Sequence, residues 1–226
     1  MTQDYCGKVT RYFGNARTEI STLLAPAVEC VLEVGCGTGQ TMRWLKQTGR
    51  VRRACGIEVF ESAGDAARAH FDQLIIGDAE ELIERAFDST QFDLILCLDV
   101  LEHMVDPWQF VERLQRRLAR GGKLVVSVPT VRCARVLVPL AFLGRWRYRD
   151  EGILDRTHLR FFTRESALEL VAGTHLRIER CLAYRPPRSR LARLHLMTLG
   201  LLPGFTAKQY LIAASPRENA AARLAI

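Results

Sequence analysis

The chain has 226 residues, of which 48% are hydrophobic and 25% charged, values typical of soluble globular domains. Its length predicts one folded domain. The longest stretch without Asp, Glu, Lys or Arg, 194–207, has 14 residues, fewer than the roughly 20 apolar residues of a membrane-spanning helix. Charged residues interrupt the first twenty positions and leave no room for the apolar part of a secretory signal, so we expect a cytoplasmic protein.

Charge is distributed unevenly along the chain. Residues 1–130 contain 15 Lys and Arg against 18 Asp and Glu, whereas residues 131–226 contain 17 against 7. Arginine supplies 28 of the 32 basic residues, and its planar guanidinium suits phosphate and carboxylate groups better than a Lys ammonium does. Contact between the basic half and anionic groups is one interpretation; a general compositional bias toward arginine is the other.

The seven cysteines do not form a recognisable framework. Their number is odd and no two have the C-x-x-C spacing, which argues against a set of disulfides and against a zinc knuckle. We therefore expect most of them to be small, buried apolar residues.

Short apolar runs alternate with amphipathic segments over the first 130 residues, which predicts an α/β fold with parallel strands joined by crossover helices. Strands buried on both faces are predicted at 30–34, 54–58, 73–76, 92–98 and 123–128. Two further strands, an antiparallel pair at the sheet edge, are predicted at 175–184 and 209–213.

Helices are predicted at 12–24, from about Gln40 onward, at 108–120 and, capped by Thr163, at 163–172. The clearest is 108–120, since Asp106 is suited to cap it, Pro107 to begin it, and Gly121 and Gly122 to end it. We divide the single domain into an N-terminal helical region 1–29, a cofactor-binding core 30–130, a cap insertion 131–162, a C-terminal helix and strands 163–215 and a tail 216–226.

The strongest motif is a glycine-rich turn after the first strand, V-L-E-V-G-C-G-T-G-Q at 31–40. Glycines there let the backbone approach a ligand closely. A dinucleotide site would have G-x-G-x-x-G, but Gly39 comes one position early and Gln40 replaces the last glycine. Glu33 at the strand end would repel a pyrophosphate and attract a ligand that carries an ammonium and a sulfonium, such as S-adenosylmethionine.

Acidic residues also follow the next two predicted strands. Glu58 ends the second strand, where its carboxylate can accept hydrogen bonds from both ribose hydroxyls. Asp78 follows the third strand and is placed to accept from an adenine amino group. Each acid alone is more often an ordinary solvated charge, but acids at three successive strand ends indicate one adenosyl ligand.

With these residues the chain resembles the class I S-adenosylmethionine-dependent methyltransferases, whose motif it carries as E-x-G-x-G-x-G at 33–39. It is similar to their small-molecule branch, which includes ubiquinone-biosynthesis and polysaccharide-associated methyltransferases. That closer likeness is carried by D-V-L-E-H at 99–103, D-P at 106–107 and the segment 150–164. The resemblance covers roughly residues 31–183, and its second part is specific only for a loose group with mixed substrates.

The resemblance implies a Rossmann-like, seven-stranded, mostly parallel sheet with helices on both faces and a cap insertion after strand 5. It implies S-adenosylmethionine as the cofactor, with its methionine part at Glu33, its ribose at Glu58 and its adenine at Asp78. The crevice would lie where the strand order reverses beside the first strand. The full set of cofactor-binding residues that it implies is Glu33, Gly35, Cys36, Gly37, Gly39, Glu58, Asp78, Ala79 and Asp99.

Catalysis of methyl transfer needs a nucleophile held close to the methyl carbon, and a base only if that nucleophile arrives protonated. Asp99, Glu102 and His103 follow the fourth strand and are predicted to share one face of a helical turn. Our favoured hypothesis makes His103 the general base for a substrate hydroxyl, oriented by Glu102 or Asp99. A purely structural turn and a divalent metal bound by these three side chains are the alternatives, and the predicted site includes no metal.

The cap insertion contributes a second candidate base, His158, although a histidine beside phenylalanines is more often simply packed. The sequence R-W-R-Y-R at 145–149 can grip a phosphate and stack on a sugar or base, or it can anchor the cap. The basic segment 185–193 leads into the apolar segment 194–202, a pattern that can lie on an anionic membrane surface or cover the sheet edge.

The leading hypothesis is an enzyme that O-methylates a small-molecule, glycan-precursor or lipid-linked, quinone-like acceptor of anionic character, with peripheral membrane contact as an option. One alternative is an RNA or other nucleic-acid methyltransferase, disfavoured because no appended RNA-binding module and no Asn/Asp-Pro-Pro-Tyr/Phe signature are evident. Another is a non-catalytic regulator that binds S-adenosylmethionine. Glu33 and Gln40 argue against an NAD-dependent oxidoreductase.

Overall fold

Seven strands form one sheet in the computed structural model, which describes residues 14–87, 89–173 and 175–217. Each predicted strand overlaps an observed one. The observed strands are β1 (Val28–Val34), β2 (Val51–Glu58), β3 (Gln73–Ile76), β4 (Phe92–Leu98), β5 (Leu118–Pro129), β6 (Leu176–Tyr184) and β7 (Gln209–Pro216).

Helices connect most of these strands. They are α1 (Gln40–Gln47), α2 (Glu61–Ala67), α3 (Ala79–Leu82), α4 (Pro107–Arg116), α5 (Ala134–Leu143), α6 (Arg164–Ala172), α7 (Arg190–Met197) and α8 (Pro203–Thr206). Short 3₁₀ turns lie at Thr18–Leu23, Arg68–His70 and Leu101–His103.

The predicted caps of two helices are confirmed: Asp106 accepts from the backbone of Gln109 at the start of α4, and Thr163 forms a capping box with Ser166 at the start of α6.

The strand order is β3-β2-β1-β4-β5-β7-β6. β1 pairs in parallel with both β2 and β4, and β7 runs antiparallel between β5 and β6. The chain therefore winds outward in both directions from β1, and the order reverses between β1 and β4. This confirms the predicted Rossmann-like, mostly parallel sheet, including its antiparallel pair at the edge.

Apolar side chains cover both faces of the sheet, since neighbouring residues of a strand point to opposite sides. On one face, Leu32 of β1 belongs to the same buried cluster as Leu114 of α4. On the other face, Val31 belongs to a cluster with Leu45 of α1 and Ile20 of the first 3₁₀ turn. Helices on both faces thus bury the central strands completely, as predicted.

The predicted helix at 108–120 is wrong at its C-terminal end, because α4 ends at Arg116. The next residues join the sheet: the Arg117 carbonyl accepts from the backbone N–H of Phe92 at 2.8 Å, and Leu118 pairs with Phe92. Gly121 and Gly122 consequently lie inside β5, beside a register shift of the β4–β5 pair, instead of ending the helix. Long-range strand pairing outweighs the local helical pattern here.

The predicted N-terminal helix at 12–24 is also corrected. Within its described part the backbone forms a 3₁₀ turn, Thr18–Leu23, that buries Ile20 and Leu23. Residues 12 and 13 lie outside the described residues, as does most of the predicted tail at 216–226.

The insertion 131–162 leaves the sheet after β5 and returns to the same place. Thr130 and Phe162 form an isolated bridge, and the Val131 N–H donates to the Phe162 carbonyl at 3.0 Å. Between these ends lie α5 and a largely irregular segment, in which the rings of Trp146 and Phe161 are 5.2 Å apart, edge to face. The insertion therefore leaves and rejoins the domain at one place, where its two ends are hydrogen-bonded to each other beside the end of β5.

The irregular part of β5 gives a stability test. A Cβ on Gly122 would lie 2.7 Å from the Phe92 carbonyl oxygen and 2.8 Å from that of Ala119, both backbone atoms. Gly121 has a φ of +76° but no heavy atom within 4 Å of a built Cβ. We expect Gly121→Ala to lower the free energy of unfolding by about 1–2 kcal/mol, the cost of a left-handed conformation, and Gly122→Ala to lower it further.

Urea denaturation of the two variants and the parent protein measures this difference. An unfolding free energy for Gly122→Ala equal to or above that of Gly121→Ala would contradict the described approach of the two strands.

Candidate functional site

The glycine-rich turn after β1 has the backbone shape that its sequence predicts. Gly35, Gly37 and Gly39 have φ values of +64°, +54° and +73°. At Gly35 a Cβ would also lie 2.6 Å from a side-chain methyl of Val100, so this position is restricted by both conformation and space. The turn leads directly into α1, because Gly39 occupies its N-cap position.

Two carboxyl groups lie buried behind this turn. The side chain of Glu58 is 2% exposed overall, and its two oxygens accept from the backbone N–H groups of Gly37 at 2.7 Å and Phe60 at 3.0 Å. Each carboxylate oxygen retains a second lone pair for another donor. Glu33 is 3% exposed, and its Oε2 has no hydrogen-bond partner. Burial, reinforced by the negative charge of Glu58, raises the pKa of Glu33 to about 8.

The other predicted cofactor-binding residues lie along the same edge of the sheet. Asp78 is exposed and caps the one-turn helix α3, where its Oδ1 accepts from the Glu80 N–H at 2.8 Å. Ala79 is the first residue of that turn, and Cys36 is buried within the glycine-rich loop. The structure thus brings the residues that follow β1, β2 and β3 to one edge, as the carboxyl ends of parallel strands require.

Asp99, the first residue after β4, is held by partners that the sequence did not indicate. Its φ is +56°, and its two carboxylate oxygens bind the Ser127 hydroxyl at 2.7 Å and the Arg17 guanidinium at 2.6 Å. Arg17 also binds Glu19 at 2.6 Å. Burial alone would lower the pKa of Arg17, but Asp99 and Glu19 outweigh it and raise that pKa. No local pattern marks this pair, since 82 positions separate Arg17 from Asp99.

Glu102 and His103 form a different cluster, which His158 completes from the cap insertion. The Glu102 and His103 side chains lie on the 3₁₀ turn after β4. The imidazole rings of His103 and His158 are 4.7 Å apart, and His158 Nε2 is 4.0 Å from Glu102 Oε1. The sequence proposed both histidines separately, and the tertiary structure brings them together.

Two members of this cluster, Glu102 and His158, are almost excluded from solvent, and His103 is half-buried. The side chains of Glu102 and His158 are 1% and 3% exposed, and Glu102 Oε2 has no hydrogen-bond partner. Burial and the nearby Asp99 raise the pKa of Glu102 well above its usual value. Burial and the adjacent His158 lower the pKa of His103 to about 4. At neutral pH His103 is therefore an uncharged imidazole.

A cavity of about 1570 Å³ extends from Asp99 and Glu102 to the cap insertion and α7. Its basic lining residues are Arg17, Arg135, Arg145, Arg147, Arg149, Arg190 and Lys208. Much of its acidic lining is already compensated, because Glu19 and Asp99 pair with Arg17 and Asp150 pairs with Arg156. Within the described residues, Arg145, Arg147 and Arg190 have no carboxylate partner, so the cavity carries a positive potential.

Known proteins share this sequence pattern and this fold. A family model described as a methyltransferase domain matches residues 4–180. A ubiquinone biosynthesis O-methyltransferase from Coxiella burnetii is 31% identical over 100 residues, which are 43% of this chain and 42% of the relative. One from Maricaulis maris is 26% identical over 157 residues, which are 63% and 59%. The chain thus spans about two fifths to three fifths of the length of these curated relatives.

Solved structures agree on the architecture. A chain from the complex between the Haloferax volcanii Trm112 methyltransferase activator and the putative methyltransferase aligns with a TM-score of 0.64, 15% identity and 89% coverage of both chains. A SAM-dependent methyltransferase from Archaeoglobus fulgidus aligns with a TM-score of 0.60, 18% identity and coverage of 88% of this chain and 90% of that one. At sequence identities this low, the alignments show only that the fold is shared.

The sheet order, the glycine-rich turn and the buried acids behind it define the class as Rossmann-like, class I S-adenosylmethionine-dependent methyltransferases. The chain belongs to the methyltransferase domain family, and S-adenosylmethionine is its cofactor.

The site suits this cofactor chemically. The unpartnered Oε2 of Glu33 lacks a cationic or hydrogen-bond donor group, and an ammonium such as that of the methionine part would fit this need. The left-handed glycines leave the backbone bare where a ligand approaches.

Glu33 also generates a test that needs no ligand. Its folded-state pKa of about 8 exceeds the usual value of 4.5, so its contribution to stability is complete below about pH 4.5 and is lost as the pH rises through 8. We expect Glu33→Gln to remove this dependence, and to raise the free energy of unfolding relative to the parent protein on the order of a few kcal/mol at pH 9 but not at pH 5.

Chemical denaturation at both pH values gives the two differences, and Asp65→Asn, a change of an exposed acid on α2, is the control. Equal effects of Glu33→Gln at pH 5 and pH 9 would show that Glu33 is already ionised in the folded protein.

Proposed function

We propose that this protein is an O-methyltransferase whose acceptor is a small molecule with a hydroxyl and an anionic group, such as a phosphorylated glycan precursor or a lipid-linked, quinone-like compound. The observation that carries the proposal is the cavity itself. Its lining includes Glu102 and His158, and also arginines that have no carboxylate partner among the described residues. The names of the two ubiquinone O-methyltransferase relatives support transfer to oxygen.

Bound S-adenosylmethionine supplies an electrophilic methyl group on a sulfonium. We propose that Glu33 binds the methionine ammonium, that Glu58 accepts from the ribose hydroxyls and that Asp78 accepts from the adenine amino group. The remaining predicted cofactor residues, Gly35, Cys36, Gly37, Gly39, Ala79 and Asp99, would shape the same pocket. Asp99 would do so through its ion pair with Arg17.

The cluster of Glu102, His103 and His158 would contact the acceptor hydroxyl. Two of its members, Glu102 and His158, line the cavity, so an acceptor bound there would lie beside them. The favoured sequence-based role, His103 as general base oriented by Glu102, is retained as a proposal, with His158 as the cap's contribution. The burial of Glu102 and His158 would limit the water that reaches the acceptor hydroxyl, which favours transfer to the acceptor.

The arginines provide the test of acceptor class. Replacing Arg145 and Arg147 together with serine should raise KM for a phosphorylated acceptor about 10- to 150-fold, because one charge-assisted hydrogen bond contributes about 1.5–3 kcal/mol. The KM for a neutral phenol should not change. Arg52→Ser is the matched control, since Arg52 is exposed on β2 and pairs with Glu29.

The assay follows methyl transfer to phosphorylated sugars, lipid-linked glycans and phenols. Equal KM values for the phosphorylated acceptor in all variants would contradict anion recognition by the cap. Tight S-adenosylhomocysteine binding without transfer to any of these acceptors would instead favour the non-catalytic alternative.

We also propose peripheral contact with an anionic membrane, through α7 and the turn that follows it. Leu196, Met197, Leu199 and Leu201 are 76–85% exposed there. No Asp or Glu occurs between residues 180 and 217, whereas this stretch contains six arginines. Basic side chains beside exposed apolar ones suit a negatively charged lipid surface. Among the described residues no helix has the length and apolar character to cross a bilayer.

Sedimentation with vesicles tests this contact. The protein should pellet with phosphatidylglycerol-containing vesicles and not with pure phosphatidylcholine vesicles, and Leu196→Ser with Leu199→Ser should weaken that binding at least tenfold, about 1.4 kcal/mol. Val105→Ser, which removes an exposed side chain far along the sequence from α7, is the control. Unchanged vesicle binding in the double variant would contradict the proposal, and binding to RNA alone would favour a nucleic-acid face.

A further inference from the structure

A buried glutamine lies at the edge of the sheet that carries the cofactor-binding residues. β5 runs parallel to β4 and β7 runs antiparallel to β5, so the first residue of β7 lies at the edge where β5 ends. That residue is Gln209, which pairs with Pro129 of β5 on one side and with Tyr184 of β6 on the other. Gln209 is therefore on the same edge as Glu33 and Glu58.

The pattern of β7 makes this glutamine an exception. Alternate residues of a strand share one face, and Leu211 and Ala213, on the face of Gln209, both belong to a buried apolar cluster. Gln209 itself is only 4% exposed. An amide buried without hydrogen bonds costs free energy, so packing alone would favour an apolar residue at this position.

The side-chain amide of Gln209 has an unsatisfied donor. Its Nε2 is buried and has no hydrogen-bond partner among the described residues. Native proteins rarely leave such a group unpaired, and a ligand oxygen would satisfy it. Gln209 lines the cavity, and the terminal torsion of a glutamine side chain is roughly two-fold. A half-turn about that bond exchanges the two amide atoms, so either one can face a ligand in the cavity.

The backbone next to Gln209 is held on both sides. The Lys208 carbonyl oxygen accepts from the Thr130 N–H at 3.1 Å, and the Lys208 N–H donates to the Tyr184 carbonyl oxygen at 2.9 Å. Side chains on strands are positioned more precisely than side chains on loops. The amide of Gln209 therefore extends from a fixed point between β5 and β6.

Tyr184 adds a ring and a hydroxyl beside this amide. It lines the same cavity and directly opposes Gln209 in the β6–β7 pair, so the two side chains share one face. Burial and the negative charge of Glu19 raise the pKa of Tyr184, against the opposing effect of Arg17. Its phenol is therefore neutral at pH 7 and can both donate and accept a hydrogen bond.

This pair of side chains suits neighbouring hydroxyl groups. An amide offers a donor and an acceptor side by side, and each hydroxyl of a sugar ring can both donate and accept. A quinone carbonyl only accepts, so it would leave the amide oxygen unpaired. Arginines line the same cavity, and they suit a phosphate on the same molecule.

We propose that Gln209 and Tyr184 form a subsite for the hydroxyl groups of a sugar ring, in a phosphorylated sugar whose phosphate is bound by the arginines of the cavity. The inference rests on the proposed function for the reaction that the bound sugar undergoes, and it deepens that function by favouring a glycan precursor over a quinone-like acceptor. Gln209 acts as a specificity-determining residue, because a ligand without these hydroxyls leaves its amide buried and unpaired.

Binding is measured by titration calorimetry of the S-adenosylhomocysteine-bound protein. The probes are the 1-phosphates of glucose, galactose and mannose, with inorganic phosphate as the reference. We expect at least one sugar phosphate to bind about 5- to 150-fold more tightly than inorganic phosphate, the range for a buried polar group that gains its partner. Gln209→Leu should remove most of this preference and leave the affinity for inorganic phosphate unchanged. Gln73→Leu is the matched control, since Gln73 is likewise the first residue of a strand but is exposed.

Two further measurements keep the test decisive if Gln209→Leu folds poorly. On the parent protein, at least one monodeoxy analogue of the bound sugar phosphate should bind at least about fivefold more weakly. In thermal unfolding without ligand, Gln209→Leu should raise Tm by about 2 °C or more, because it removes an unsatisfied buried donor. A large fall in Tm would show that the amide already has a partner inside the protein, and would overturn the proposal.

The binding results have equally definite opposite outcomes. The proposal is wrong if no sugar phosphate binds the parent protein more tightly than inorganic phosphate does. It is also wrong if the preference persists in folded Gln209→Leu, or if every deoxy analogue binds as tightly as the parent sugar phosphate.

Methyl transfer by the same preparations separates this proposal from the proposed function. Transfer to a phenol that Gln209→Leu leaves unchanged, without preferential binding of any sugar phosphate, would overturn the sugar subsite alone. Sugar phosphate binding that depends on Gln209, together with no transfer to any acceptor, would overturn the proposed function and leave the subsite standing.

Discussion

The parallel pairing of β1 with both β2 and β4 is the constraint on which the site depends. Because these three strands run in one direction, their carboxyl ends reach the same edge, and the reversal of strand order leaves a crevice there. Glu33 is the penultimate residue of β1, Glu58 is the last residue of β2, and Asp99 directly follows β4. The sheet therefore gathers three acids that lie far apart in the sequence.

Gathering acids at a buried edge is unfavourable, and the protein resolves this in a different way for each. Asp99 is neutralised by Arg17, and Glu58 accepts two backbone N–H bonds. Glu33 and Glu102 each keep an unsatisfied buried oxygen. In a family whose cofactor carries two positive charges, an unsatisfied buried carboxyl oxygen is expected where a ligand completes the structure.

The cap insertion forms part of the wall of the cavity and gives that wall positive charge. Its ends are tied by the bridge between Thr130 and Phe162, and its return segment is hydrogen-bonded to the Glu102 carbonyl. These ties bring His158 to the end of β4 and leave the arginines of 145–149 on the wall of the cavity. One insertion thus supplies both His158, beside Glu102, and several of the arginines that line the cavity.

The sequence by itself determined the seven strands, the caps of α4 and α6 and the glycine-rich turn, because apolar periodicity, capping chemistry and left-handed glycines act between near neighbours. It also indicated each acid of the site. Only the tertiary structure decided that α4 ends at Arg116, that Arg17 holds Asp99 and that His158 joins Glu102 and His103. Those outcomes depend on contacts between residues tens of positions apart, whose free energies no local pattern contains.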